Sequence, residues 1–338
     1  FLWLFIRSYS DLSFFKYTHY LFNYEHEFLK RGFIGEILRL SFENVNFELV
    51  RLISVISLIV LSVIIFNIFV TSFNKKPDAS KLIFSIMAFV SPMTIQHFIH
   101  DIGRFDIINL IITLLCFFII EKFYKKTLLI FVLIGSLIAL LLLIHEGTFF
   151  MFVPMIFGYW FFKNSDKSTI AAQVALFGLI TFLTFKISTV GLATKYTLDE
   201  YYILLSNKQL EASKWAMQLL YRGLFENSDD GVPNTILKLA VLIGLSKSWL
   251  IHNFILLFCL SPLFYITFFI FKDFFYKSTI QTKILLISGL SPLCLFFLGA
   301  DHMRWWALTF TNIFIIFFKL SKESNFYFEI IKKKCNKI

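Results

Sequence analysis

The chain has 338 residues, of which 58% are hydrophobic and 46 are phenylalanine, with a mean hydropathy of +0.75. So much apolar surface excludes a soluble globular domain, and apolar runs of about twenty residues mark a polytopic α-helical membrane protein. Alternating strands of a β-barrel are absent, and the net charge of +10 has no soluble basic domain through which to bind nucleic acid.

Taken in order, Phe1–Ile6 reads as the end of a clipped first span rather than a signal peptide, because it lacks a basic n-region and a cleavage site. Residues 7–49 follow as a polar-edged segment. Within it Leu29, Phe33, Ile37 and Leu40 recur at helical spacing, with Arg31, Glu36 and Arg39 off that stripe, which predicts an amphipathic helix over Phe28–Leu40. Gly32 and Gly35 there allow close approach of another backbone or a ligand. Spans are expected at 50–72, 81–99, 107–121, 127–144, 148–162, 169–190, 249–271, 280–299 and 304–320, about ten with the partial first one. Residues 191–248 form the largest polar segment and 321–338 a basic tail. The fold class is an all-α transmembrane bundle, a single integral membrane domain over 1–338. Cys116, Cys259 and Cys294 lie in apolar runs and Cys335 in the tail, so neither a disulfide framework nor a zinc spacing follows.

Lysine sets the orientation. Lys75, Lys76 and Lys81, then Lys122, Lys125 and Lys126, then Lys163 and Lys167, then Lys272, Lys277 and Lys283, and finally the lysines of the tail mark one face, cytoplasmic by the positive-inside rule. By alternation the outer face receives 7–49, 97–106, the His145-Glu146-Gly147 turn, 191–248 and 299–304. Arg7, Arg31, Arg39, Arg51, Arg104, Arg222 and Arg304 are all on or beside that outer face. Lysine suffices for topology, whereas the planar fork of arginine suits paired phosphate oxygens.

The chemistry gathers at span junctions. His97-Phe98-Ile99-His100-Asp101-Ile102-Gly103-Arg104-Phe105-Asp106 supplies a base, from Asp101, Asp106 or His100, and an anion clamp, Arg104. Asp106 also opens a span, where a carboxylate caps the first turn and favours the helix dipole. His145-Glu146 sits in a hairpin with almost no loop. Near hydrocarbon the Glu146 pKa is expected to rise, which suits a general base. Asp301-His302-Met303-Arg304-Trp305-Trp306 repeats the combination, Arg304 as an anion ligand and Trp305 as part of the interfacial aromatic belt. His97, His100, His145 and His302 complete no recognisable metal set, and there is no phosphate-binding loop or dinucleotide fingerprint.

This layout resembles the bacterial polytopic enzymes of surface-polysaccharide assembly, the broad group of GT-C glycosyltransferases and O-antigen polymerases. The resemblance lies in the amphipathic outer segment Phe28–Leu40, the Asp-containing turn from His100 to Asp106, and the Arg304-Trp305 pair that opens the last span. It implies a GT-C-like bundle that works on lipid-linked sugars with outer-face carboxylates and arginines. An acidic residue of the first outer loop acts as base in that group, and Asp11, Glu25, Glu27 and Glu36 compete for the part.

The expectation is an enzyme that joins sugars on polyprenyl phosphate or pyrophosphate at the outer face of a bacterial inner membrane. Asp101, Glu146 or His100 would be catalytic, and Arg31, Arg104 and Arg304 would bind phosphate. Lys30, Asp106, His145, Asp301 and His302 would assist. No metal or other cofactor is expected. Partners would be the polyprenyl-linked glycan, the bilayer and other polysaccharide-assembly membrane proteins. A transferase that adds a single sugar and a flippase of lipid-linked glycans are the alternatives.

Overall fold

The structure is a computed structural model that describes residues 12–71, 79–189, 196–206, 261–297 and 301–335. The N-terminal stub, Arg7, Asp11, Arg222 and the segment 191–248 apart from 196–206 lie outside the described residues. Within them the chain is helical and shows no strand. The helices are α1 (Phe14–His19), α2 (Phe33–Ser41), α3 (Phe47–Thr71), α4 (Ala79–Val90), α5 (Ile95–His100), α6 (Asp106–Phe123), α7 (Thr127–Ile144), α8 (Thr148–Met151), α9 (Val153–Lys163), α10 (Lys167–Thr189) and α11 (Leu198–Ser206). Beyond them come α12 (Ser261–Lys277), α13 (Ile280–Ser288), a 3₁₀ turn (Ser291–Phe297), α14 (His302–Glu323) and α15 (Asn325–Cys335).

This is an all-α helical membrane protein. Among the described residues α3, α7 and α10 are long and apolar enough to cross a bilayer. The α7 bounds coincide with the run expected at 127–144. Other expected spans are interrupted. The run 81–99 divides into α4 and α5 around Ser91–Thr94, where Pro92 cannot continue the hydrogen-bond ladder. The run 148–162 breaks at Phe152, with Pro154 in the first turn of α9. The run 280–299 breaks after Ser288 and continues as the 3₁₀ turn containing Pro292.

Packing divides the chain into two compact units, the first from residues 1–63 and 97–229, the second from 64–96 and 230–338. In the first unit α7 lies between α6 and α10, and α9 packs on α6. The α1–α2 region folds over one end of this layer through Tyr17, Tyr20, Leu38, Val50, Phe105 and Ile144. Gly35 makes that possible, since a Cβ there would lie 1.9 Å from the carbonyl oxygen of Phe22 and 2.7 Å from that of Tyr20. Helix α2 begins at Phe33, later than expected, and leaves Ile37 and Leu40 44% and 70% exposed. An unpartnered apolar stripe of this kind suits a helix resting on a membrane surface.

In the second unit α14 packs on the 3₁₀ turn and on α15, which also touches α4 and α12. Aromatic rings fill it: Phe69 stacks on Phe318 with centroids 3.9 Å apart, and Phe274 meets Phe317 and Tyr327. The Tyr327 and Thr282 hydroxyls pair at 2.9 Å.

Candidate functional site

The antiparallel pair α6–α7 gives the first unit two chemically distinct ends. At one end Lys122, Lys125 and Lys126 flank the turn between α6 and α7, while Lys163 and Lys167 flank the turn between α9 and α10. These turns meet: Asn164 Nδ2 donates to the Tyr124 carbonyl at 3.2 Å, and the hydroxyls of Thr127 and Thr169 are 2.9 Å apart. At the other end α6 starts and α7 stops, with Phe105 and Ile144 in the same hydrophobic cluster. Arg31, Arg104, Asp101, His145 and Glu146 all flank that second end. Asn109 ties it together, Nδ2 donating to Thr148 Oγ1 at 2.6 Å with both residues fully buried.

The first charged group is built on Glu146. Helix α7 ends at Ile144, its last free carbonyls partly met by the His145 N–H. Glu146 then points back at Arg31. The Arg31 Nε lies 2.9 Å from Oε2 and 3.1 Å from Oε1, and its terminal Nη2 also donates to Oε1. The carboxylate is 15% exposed and the guanidinium 23%. Arg31 reaches it from a left-handed backbone with φ 66°, a conformation that costs an L-residue roughly 1–2 kcal/mol. The following Gly32 closes the turn by donating its N–H to the Leu29 carbonyl at 3.1 Å.

Burial acts to raise the pKa of Glu146, but Arg31, His145 and Lys30 outweigh it and hold the carboxyl well below the usual glutamate range. The expectation of a raised pKa is thereby corrected: the argument from hydrocarbon omitted a cation 115 positions away. Burial lowers the Lys30 pKa, opposed by Glu146 and reinforced by Arg31. The Gly147 N–H lies 3.0 Å from His145 Nδ1.

The second group surrounds Asp101. Lys16 Nζ and Arg104 Nε approach Oδ1 at 3.4 and 3.3 Å, and His97 Nε2 lies 3.6 Å from Oδ2. Lys16 Nζ also donates to the His100 carbonyl at 3.0 Å. Burial pushes Asp101 up and Asp106 adds to that, yet Arg104, His97 and Lys16 together hold it below its ordinary value. Gly103, at φ 91°, lets this loop turn against α1, where a Cβ would meet Leu12 Cδ1 at 2.3 Å. Asp106 is 1% exposed in the first turn of α6.

Sequence reasoning named Asp101, Arg104, Arg31, Glu146, Lys30 and His145, and the structure assembles them at one end of the first unit as two groups. It missed Lys16. The signal was there: Lys16 is a lysine inside an aromatic run on the arginine side, against the segregation noted above. Arg304 belongs to the second unit, where its Nη1 lies 3.7 Å from Asp301 Oδ2. Trp305 is buried and packs on Phe296, not in an exposed belt. Every arginine among the described residues faces a carboxylate, since Arg39 pairs with Glu36 and Arg51 with Glu48. Glu36 also accepts the Tyr24 N–H at 3.0 Å. No group of three or more His, Cys, Asp or Glu among the described residues is arranged to hold a metal.

Residues 1–155, a little under half of the chain, match the family described as uncharacterised membrane protein Rv1490. The matched stretch includes both charged groups of the first unit. No curated protein and no solved structure matches the chain.

Proposed function

We propose that the protein is a membrane glycosyltransferase that takes its sugar from a polyprenyl phosphate or pyrophosphate carrier at the outer face of a bacterial inner membrane, in O-antigen or capsule assembly. One observation carries the reading: Arg31 forks onto a single carboxylate, Glu146, at the end of the bilayer-length helix α7 opposite the lysines, with Lys30 next to Arg31 in the chain. Cations in surplus at a partly dry helix end suit a phosphate, and Arg31 presents a fork that fits its oxygens.

The same geometry suggests how the site would work. Arg31 keeps Glu146 ionised while the site is empty of donor. A carrier phosphate that draws the guanidinium to itself removes this counter-charge, and burial then raises the basicity of the carboxylate. Glu146 takes the proton of an acceptor hydroxyl, whose oxygen forms a bond to the anomeric carbon as the bond from that carbon to the phosphate oxygen breaks. The electron pair leaves on the phosphate, where Arg31 and Lys30 stabilise the growing charge. Asp101, with Lys16, His97 and Arg104, would orient the acceptor or a second phosphate. No metal or other cofactor enters this scheme.

The test is sugar transfer by the purified chain in vesicles that contain lipid-linked donor. Arg31→Ala is expected to slow transfer by about 10²–10³-fold, and a folded Arg31→Ala variant with full activity would sink the proposal. Deleting the gene and examining the surface glycan separates the remaining alternatives. A single repeat unit indicates a polymerase, a missing branch a one-sugar transferase, and glycan retained on the inner face a flippase.

A further inference from the structure

At the lysine end of the first unit the α6–α7 and α9–α10 turns are tied together by the Asn164–Tyr124 and Thr127–Thr169 contacts. The stretches 121–127 and 163–169 hold five lysines and two acids. Both acids are engaged. Asp166 accepts the Thr169 N–H at 2.7 Å and the Ser168 hydroxyl at 3.0 Å, capping α10, and Glu121 accepts the Tyr159 hydroxyl. Lys122, Lys125, Lys126 and Lys167 are exposed, and among the described residues no carboxylate pairs with them. Lys122 reaches over the rings of Phe118 and Phe123, and Lys125 over that of Tyr124. Arg31 and Arg104 at the opposite end do face carboxylates, so the uncompensated charge is confined to the lysine end. Both α7 and α10 are long and apolar enough to cross a bilayer, and these lysines stand where they begin. Just inside, Leu128 and Val132 on α7 are 77% and 54% exposed, and Ile170 and Val174 on α10 are 38% and 68% exposed. Ammonium groups at the helix ends, with bare apolar ridges leading into the bilayer from them, follow the order of a phospholipid, phosphate first and acyl chain after.

We propose that the joined turns bind an acidic phospholipid whose headgroup carries two phosphates, of the cardiolipin class, with its acyl chains along α7 and α10. Lysines from two turns held side by side select two linked phosphates over one, because the second phosphate binds at the high effective concentration set by the first. Lysine suits the task, since its compact, mobile ammonium follows a headgroup without the fixed geometry of a guanidinium. The inference concerns the end of the unit away from Arg31 and Glu146 and is independent of the proposed sugar transfer.

The experiment titrates the full chain, purified in a neutral detergent, with cardiolipin, with phosphatidylglycerol at matched total charge and with phosphatidylcholine, and counts bound lipid by native mass spectrometry. Cardiolipin is expected to bind about tenfold or more tighter than phosphatidylglycerol, and phosphatidylcholine weakest of the three. The double variant Lys126→Gln/Lys167→Gln removes one cation from each turn and leaves Lys122, Lys125 and Lys163 to hold the topology. It is expected to weaken cardiolipin binding about 25-fold, at about fivefold per lysine, with an unchanged lipid-free melt. Lys186→Gln, in the last turn of α10, is expected to leave binding as it was. On the unaltered chain cardiolipin is expected to shield Lys125, Lys126 and Lys167, but not Lys186, from amine acetylation, which keeps the test decisive if the double variant does not fold. Equal affinity for phosphatidylglycerol at matched charge, undiminished binding by the folded double variant, or shielding confined to other lysines would each overturn the assignment.

Discussion

Arg31 holds Glu146 with two guanidinium nitrogens across 115 positions of sequence, and does so from a left-handed backbone. A strained residue that persists in a partly buried ion pair is over-determined by its surroundings, and such residues concentrate at binding sites. Removing one partner strands the other charge. Glu146→Ala and Arg31→Ala are each expected to cost about 2 kcal/mol or more, while the double variant costs clearly less than their sum. Thermal or denaturant melts of the four proteins in one detergent measure this, and strict additivity would show that the pair is not coupled. Arg31→Lys keeps the charge but not the fork, and is expected to recover stability better than sugar transfer.

Acid should undo the pair in a definite window. The Glu146 carboxyl is held below its ordinary value of 4.5. Its pairing therefore stabilises the folded chain above that pH, and the contribution fades as pH falls below it toward the lower folded value. The gap in melting temperature between the natural chain and Glu146→Gln is expected to stay constant from about pH 6 to 8 and to narrow below about 4.5. A gap that narrows instead on the alkaline side would contradict the direction of the shift.

Gly35 is where the α1–α2 region is most easily broken. A methyl group there meets the main chain of Tyr20 and Phe22 rather than a side chain that can move aside. Gly35→Ala is expected to cost about 3 kcal/mol, read as a loss of melting temperature. Gly178→Ala is the control, since nothing lies within 4 Å of its added methyl group.

The lysine end predicts topology. With Lys122, Lys125 and Lys126 replaced by serine, a reporter fused after the α6–α7 turn is expected to show mixed orientation, whereas replacing Arg104 leaves it unchanged. Reporter activity on either side of the membrane decides the matter.

The long apolar helices could be read directly from the sequence because their limits are chemical. Lys126 and His145 bracket α7, and Lys167 starts α10 one turn past Lys163. The interrupted spans could have been read too, had Pro92, Pro154 and Pro292 been weighed against hydropathy. The two charged groups were visible only as fragments. Asp101 and Arg104 are three residues apart and announce each other, but nothing local joins Arg31 to Glu146, or Lys16 to Asp101, since those pairings depend on how α1 and α2 fold back over the ends of α6 and α7. The pKa expectation for Glu146 failed for that reason: a pKa is set by three-dimensional neighbours, of which the sequence near residue 146 shows only His145.

The ammonium of Lys16 donates to the carbonyl of a residue 84 positions later. During synthesis this buried cation therefore leaves the ribosome long before the loop that neutralises it. Until that loop emerges, the Lys16 ammonium lacks the carboxylate and carbonyl that meet it in the folded chain, and water or lipid headgroups have to solvate it. The Lys16 contact of the first described helix can therefore form only after the loop between α5 and α6 has been made.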